Sequence, residues 1–298
     1  MVSERLSMPI SGVAPELRRR ERNSRLIGLA LLIPAAVLAL LFLYYPLLFI
    51  LQMSFTEGSS FLSQAGPVQT VDNYSLIVER YLPNLFVTIQ LAFLATLVDL
   101  VLGFPFAYIL VRRVRYRDIV RALMVFPMFG ALYVTFGIGT ILLPGGLLAP
   151  LFDALGVSGA SLLFSLPSVV FAMSIFTFPF MVMSIGAALS NVDPKLEEAA
   201  ACLGARPWQT FRRVLLPLTR SGVIAGVLIV FGWNIGTFAE PVLLGSINEQ
   251  RALAWTLFQR GVVQTDYGLA SAMSVVLLVI AVVVSYFSLR YSRGALVD

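Results

Sequence analysis

Six long apolar segments divide this chain, and they constrain its fold more than any other feature of the sequence. Each contains roughly 20 or more mostly apolar residues, which is the length that a helix needs to cross the hydrocarbon core of a bilayer. The segments occupy residues 26–53, 85–111, 119–143, 162–189, 219–238 and 267–289. The sequence therefore predicts an all-α integral membrane protein with six transmembrane helices.

The composition excludes most other classes of protein. The 298 residues are 58% hydrophobic and 12% charged, whereas a soluble domain carries about 25% charged residues. Histidine is absent and Cys202 is the single cysteine, which removes the commonest general base and any cysteine metal cluster. We predict no catalytic residue, no metal site and no enzymatic activity in this chain.

Basic residues are distributed unevenly between the two sides of the predicted spans. Eighteen of the 21 Lys and Arg residues fall on one side, in the two termini and in the second and fourth connections. Cytoplasmic segments are enriched in Lys and Arg, so both termini are predicted to be cytoplasmic. The net charge of +5 then reflects orientation in membrane lipid and not binding to nucleic acid. We divide the chain into a cytoplasmic tail at 1–25, a transmembrane domain at 26–290 and a second tail at 291–298.

A polar hairpin at 190–218 interrupts the apolar sequence between the fourth and fifth predicted spans. An Asp-Pro pair at 193–194 is typical of a helix start, and Gly204 is placed to end that helix in a left-handed conformation. Pro207 can open a second short helix, which Pro217 closes just before the next span. The pattern predicts two short cytoplasmic helices joined at a glycine, and an ordinary amphipathic loop helix is the alternative.

The same hairpin carries a longer sequence motif. Glu198-Ala199-Ala200, three further residues, Gly204, nine further residues and then Val214-Leu215-Leu216-Pro217 resemble the EAA motif of ABC importer permeases. Every fixed position of that motif is matched. The layout of six spans with both ends inside is also similar to that family, so the resemblance covers nearly the whole chain.

The resemblance implies a role for the hairpin. In that family the EAA helix is a coupling helix, which inserts into a cleft on a separate ATPase subunit. By this resemblance Glu198 meets polar or basic groups of the ATPase, Gly204 permits the bend, and Trp208 and Phe211 anchor the second helix. The ATPase-coupling residues that it implies are Glu197, Glu198, Ala199, Ala200, Gly204, Trp208, Phe211 and Pro217.

The source of energy is predicted to lie outside this chain. The sequence contains no phosphate-binding loop of the form G-x-x-x-x-G-K-[ST]. The resemblance implies a dimer of ATPase subunits that holds ATP and Mg²⁺, a second, paralogous permease subunit and an extracytoplasmic solute-binding protein. It also implies a multi-pass subunit of a bacterial cytoplasmic (inner) membrane that binds no cofactor itself. A secondary transporter without an ATPase is the alternative, although it would leave the motif unexplained.

Two acidic residues lie where charge is costly in a membrane. Asp99 is near the middle of the second predicted span, and Glu240 is at the outer end of the fifth. Ionisable groups within a membrane are functional candidates, and aromatic rings add cation–π attraction. We predict a path for a cationic solute lined by Asp99, Tyr133, Trp233, Phe238 and Glu240. Each residue also has a structural alternative, such as a carboxyl of Asp99 that bonds a neighbouring helix.

The sequence around the motif is similar to one branch of these permeases. The segments "PSVVFAMSIFTFPFMVMSIGAALSNVDPKLEEAAACLGA" and "GTFAEPVLLG" resemble the spermidine/putrescine branch. This resemblance implies that the solute is a polyamine or another amine-bearing compound. The alternatives are the other small solutes of related permeases, namely opines, amino acid-like compounds, phosphonates or thiamine.

Overall fold

Helices make up the regular structure of the described residues, apart from one isolated antiparallel bridge between Thr56 and Gln69. A computed structural model describes residues 33–34, 36–58, 68–143, 145–154, 165–245 and 251–294. In chain order the helices are α1 Ala36–Met53, α2 Asp72–Leu76, α3 Leu82–Arg112, α4 Arg117–Val125, α5 Ala131–Leu142, α6 Ala149–Ala154, α7 Leu166–Ser190, α8 Lys195–Cys202, α9 Pro207–Thr210, α10 Leu216–Gly236, α11 Ala239–Leu244, α12 Leu253–Phe258 and α13 Tyr267–Gly294. The all-α prediction is confirmed for this part of the chain.

Five helical stretches in the described ranges are long and apolar enough to cross a bilayer. They are Ala36–Met53, Asp72–Arg112, Leu166–Ser190, Pro207–Gly236 and Tyr267–Phe287. These stretches correspond to the first, second, fourth, fifth and sixth predicted spans, of which residues 26–32, 35 and 162–164 lie outside the described residues. The predicted tail at 1–25 and residues 295–298 of the second tail lie outside them too. The first stretch, α1, belongs largely to a separate compact unit, and most of its side chains are exposed.

The third predicted span is not one straight helix. Residues 119–143 are divided between α4, a 3-10 turn at Phe126–Phe129 and α5, and the two helical parts are bent by 85°. Pro127 has no amide hydrogen to continue the α-helical ladder, and Gly130 is extended. Three of the nine residues of α4 are charged, whereas α5 has 12 residues and no charge. The described residues therefore form six apolar spans only if this bent pair counts as one.

Three helices form the centre of the unit that begins at Met53. The Thr177 hydroxyl donates to Asp99 Oδ2 at 2.6 Å, and the Ser174 hydroxyl donates to the Ala95 carbonyl at 3.3 Å. Residue numbers rise together in these two contacts, so α3 and α7 run parallel. The helix α10 runs in the opposite direction, because Gly222 contacts Ser184 while Trp233, further along α10, stacks on Phe176. One face of α7 therefore packs on α3 and another on α10.

Small residues allow α10 to approach α7 closely. The Ser184 hydroxyl donates to the Gly222 carbonyl at 2.8 Å. A Cβ atom added to Gly222 would lie 2.4 Å from Ala188 Cβ and 2.8 Å from the Ser184 carbonyl oxygen. Close approach of backbones at small residues is a principal source of packing between helices in membranes. The position of Gly222 thus fixes how near the two helices lie.

Candidate functional site

Local signals in the sequence form the first helix of the polar hairpin. Asp193 Oδ1 accepts a hydrogen bond from the Lys195 amide at 3.0 Å, which satisfies a free donor at the start of α8. At the other end the Ala205 amide donates to the Ala200 carbonyl at 3.0 Å, and Gly204 has φ +82°. This is the left-handed helix end that glycine favours. The predicted end at Gly204 is confirmed, and the helix begins at Lys195, directly after the Asp-Pro pair that predicted its start.

The side chain of Glu197 points back to the membrane domain. Arg112 Nε donates to Glu197 Oε1 at 2.9 Å, and the Tyr108 hydroxyl donates to Glu197 Oε2 at 2.8 Å. Arg112 also donates to the Val192 carbonyl at 2.8 Å. The ion pair is largely removed from solvent, with 13% of the Arg112 side chain and 16% of the Glu197 side chain exposed. The first turn of α8 is thereby fastened to the end of α3.

The second part of the hairpin is the beginning of the next span. Trp208 and Phe211 stack with ring centroids 5.2 Å apart, and Phe211 meets Phe104 of α3 edge-to-face at 4.9 Å. The prediction that Pro217 closes a separate helix is wrong, because Pro207–Gly236 is one continuous helical stretch. A π-helical turn at Phe211–Leu215 precedes α10, so the missing amide of Pro217 falls in the first turn of α10.

Much of the hairpin surface is exposed, and it includes large apolar side chains beside charged ones. Glu198, Ala199 and Gly204 are exposed, and Ala200 is half-buried. Leu203 is 89% exposed and Trp208 is 65% exposed. Exposed apolar side chains next to an exposed carboxylate are typical of a protein–protein contact. The structure thus distributes the predicted coupling residues from α8 to the first turn of α10, with Glu197 turned to the inside.

A cavity of about 520 Å³ lies between the start of α5, the middle of α7, the end of α10 and the start of α11. Its lining residues are Ala131, Leu132, Phe176, Gly232, Trp233, Gly236, Thr237, Phe238, Ala239 and Glu240. The Trp233 ring lies 5.5 Å from both Phe176 and Phe180, measured between centroids. Glu240 is 1% exposed and accepts a hydrogen bond from the Thr237 hydroxyl at 2.7 Å. Aromatic faces and a carboxylate in one cavity can hold a cation.

Two of the predicted path residues do not line this cavity. Asp99 is fully buried between α3 and α7, where Thr177 donates to one oxygen while the other has no partner among the described residues. Tyr133 is on α5, and its side chain is exposed. The structure therefore brings together Trp233, Phe238 and Glu240 but leaves Asp99 and Tyr133 elsewhere.

Sequence reasoning missed the residues that hold both sites in place. Tyr108 and Arg112 are four residues apart on α3, so they share a face, which is a weak signal for a common partner. Phe176 has no such signal, because it lies among many apolar residues of α7. Asn234 is buried, and neither polar atom of its side chain has a partner in the described part of the chain. Nothing in its local sequence marks it.

Comparison with known proteins relates the chain to transport systems. The family described as "Binding-protein-dependent transport system inner membrane component" matches residues 100–295. The chain is 34% identical over 212 residues to the "Spermidine/putrescine transport system permease protein PotB" of Escherichia coli (strain K12), which covers 69% of this chain and 76% of that relative. It is 30% identical over 197 residues to the "Probable sulfate transport system permease protein cysT" of Chlorella vulgaris, which covers 65% of this chain and 73% of that relative.

A solved structure has a similar fold. A chain in the crystal structure of a bacterial alginate ABC transporter, in complex with an alginate pentasaccharide-bound periplasmic protein, has a TM-score of 0.74 to this chain. The likeness covers 92% of this chain and 96% of that chain, at 21% sequence identity. At this identity the likeness concerns the fold alone.

Proposed function

The chain belongs to the family of inner-membrane components of binding-protein-dependent transport systems, as a permease subunit of an ABC importer, and we propose that its solute is a polyamine. The 34% identity to a spermidine/putrescine permease carries this proposal. The predicted resemblance to ABC importer permeases is confirmed by the family match over residues 100–295.

The cavity at α10 and α11 supports a cationic solute. A polyamine carries several protonated amines, which the Glu240 carboxylate and the faces of Trp233 and Phe238 attract. Glu240 is almost fully buried, so its charge acts in surroundings that screen it weakly. Contact of Asp99 and Tyr133 with the solute stays a prediction.

Sulfate is a second candidate solute, because a relative named for sulfate transport is 30% identical to this chain. An anion would meet the Glu240 carboxylate in the cavity, where the lining residues include no Lys or Arg. Like charges in weakly screened surroundings repel each other strongly. The cavity therefore favours the polyamine.

We propose that the hairpin at 190–218 is the coupling element for a separate ATPase. Exposed Glu198, Ala199 and Trp208 support this role, since they offer a carboxylate, a close approach and an aromatic anchor. In this proposal two ATPase subunits hold ATP and Mg²⁺, and this chain binds no cofactor. The distribution of Lys and Arg supports a cytoplasmic position for the hairpin, for the tail at 1–25 and for the tail at 291–298.

We propose two further partners in a bacterial cytoplasmic membrane. A paralogous permease subunit would complete the path, because Trp233 and Phe238 are about half exposed at the cavity. A solute-binding protein would deliver the solute at the outer face, and the periplasmic protein in the alginate transporter structure supports a partner of this kind.

The proposed solute is tested by uptake in cells whose own gene for this chain is deleted and which receive the gene on a plasmid. Wild-type protein is expected to restore uptake of radiolabelled spermidine or putrescine, and Glu240→Gln and Trp233→Ala are expected to raise the apparent KM about tenfold, as for a loss of about 1.4 kcal/mol. Glu79→Gln is the matched control, since Glu79 is an exposed acid on the helical segment before α3. Restored sulfate uptake without polyamine uptake would contradict the proposal.

A further inference from the structure

One stripe of α3 contacts both parts of the hairpin. Phe104, Tyr108 and Arg112 are spaced by four residues, so their side chains lie one above another on one face of the helix. Phe104 contacts Phe211, whereas Tyr108 and Arg112 grip the two oxygens of Glu197. Both halves of the hairpin are thus bound to the same helix.

The carboxylate of Glu197 is directed to α3 and not to the exposed surface of the hairpin. Each carboxylate oxygen accepts a short hydrogen bond from α3, and the charge is neutralised by Arg112. Glu198, its neighbour, is exposed and has no hydrogen bond or ion pair within the described residues. Removing one member of a buried ion pair leaves the other charge uncompensated, so the contact resists being opened. The two glutamates therefore have different tasks.

The helix α3 continues from this contact into the centre of the protein. Gly103 faces Met181 of α7, and Asp99 bonds Thr177 of the same helix. A displacement of the stripe by the hairpin would therefore act on α7 directly, through side chains that already touch. Pro105 lies inside α3 beside the stripe and has no amide hydrogen to donate to the backbone ladder there.

We propose that Glu197 is a positioning residue that clamps the hairpin to α3 through Arg112 and Tyr108, so that the hairpin and the inner end of α3 move as one body. This inference rests on the proposed coupling to an ATPase. The stroke from the ATPase then enters the membrane domain through α3, as well as through the direct continuation of the hairpin into α10. Glu198 faces the partner, and Glu197 transmits the movement.

The first test compares Glu197→Gln with Glu198→Gln in the full complex, purified from its membrane and reconstituted in liposomes. The measured quantities are the ATPase retained on the complex and the spermidine taken up per ATP hydrolysed. Glu197→Gln and Arg112→Gln are expected to retain the ATPase and to lower uptake per ATP on the order of tenfold. Glu198→Gln is expected to lower ATPase retention. Unchanged uptake per ATP in both Glu197→Gln and Arg112→Gln, the two clamp variants, would overturn the inference.

A covalent bridge tests the clamp without relying on a lost contact. Tyr108→Cys and Glu197→Cys are combined in a Cys202→Ser background and joined by a short bifunctional thiosulfonate. Bridging is expected to restore uptake per ATP, and a reductant is expected to abolish it again. A bridge that leaves uptake per ATP low would mean that the lost contact does not cause the defect. A bridge that stops uptake and ATP hydrolysis together would mean that the hairpin has to part from α3. Either result would overturn the inference.

The proposed function and this inference fail in different ways. A wild-type complex that carries no ATPase would end the coupling proposal for the hairpin as a whole. If the wild-type complex is coupled but Glu197→Gln and Arg112→Gln leave uptake per ATP unchanged, only the proposed contact between Glu197 and α3 is ruled out.

Discussion

Glu197 and Glu198 are neighbours in the sequence with different surroundings in the structure. Successive residues of an α-helix point about 100° apart, so α8 can turn one carboxylate to Arg112 and leave the other exposed. The family resemblance assigns both residues to the ATPase contact, although the motif itself begins at Glu198. Their separation into an internal contact and an exposed group follows from the orientation of α8, which Asp193 and Gly204 fix at its two ends.

Gly204 is expected to be the most sensitive residue of the hairpin backbone. A Cβ added there would meet nothing within 4 Å, so the cost of Gly204→Ala comes only from its φ of +82°. That conformation costs a residue with a Cβ about 1–2 kcal/mol. We predict that amides of α8 exchange with deuterium about tenfold faster in Gly204→Ala. Gly137→Ala is the control, since that site is also open but helical, and equal exchange in all three proteins would contradict the prediction.

At the scale of elements, α7 is the helix on which the others depend. Thr177 of α7 bonds Asp99 of α3, and Ser184 of α7 bonds Gly222 of α10. At Gly222 the two helices are too close to admit a larger side chain. We predict that Gly222→Val lowers stability by about 1–3 kcal/mol, because the new side chain overlaps Ala188 and forces the helices apart. Thermal unfolding in detergent measures this as a lower Tm. Gly137→Ala is expected to leave Tm unchanged or higher, and an unchanged Tm in Gly222→Val would contradict the packing.

Hydropathy predicted the straight spans well because a bilayer imposes one length and one polarity on them. It failed at 119–143 because mean hydropathy does not record where the chain changes direction. Pro127 and Gly130 turn the chain there. The two ends of α8 were predictable since caps are local, whereas the predicted helix end at Pro217 was wrong. The contact of Glu197 with Arg112 was not, because the two residues are 85 positions apart and meet only through the packing of α3 and α7.

At the scale of the whole molecule, two unlike surfaces lie at the two ends of one helical stretch. The cavity with Trp233 and Glu240 is at the end of α10, and the hairpin is at the beginning of the same continuous helical stretch. A secondary transporter would have no use for the hairpin, and family membership agrees with an ABC permease instead. Movement of one helical stretch can therefore relate the solute cavity to the proposed ATPase contact.

Cys202 offers the most direct test of the hairpin as a cytoplasmic coupling element, because it is the single cysteine of the chain and lies exposed at the end of α8. A membrane-impermeant maleimide is applied to inverted and to right-side-out vesicles, with Cys202→Ser as the control for background labelling. Labelling is expected only in inverted vesicles stripped of the ATPase, and protection is expected when the ATPase is bound again. Labelling from the outer side, or labelling that the ATPase does not reduce, would contradict the hairpin as the cytoplasmic coupling element.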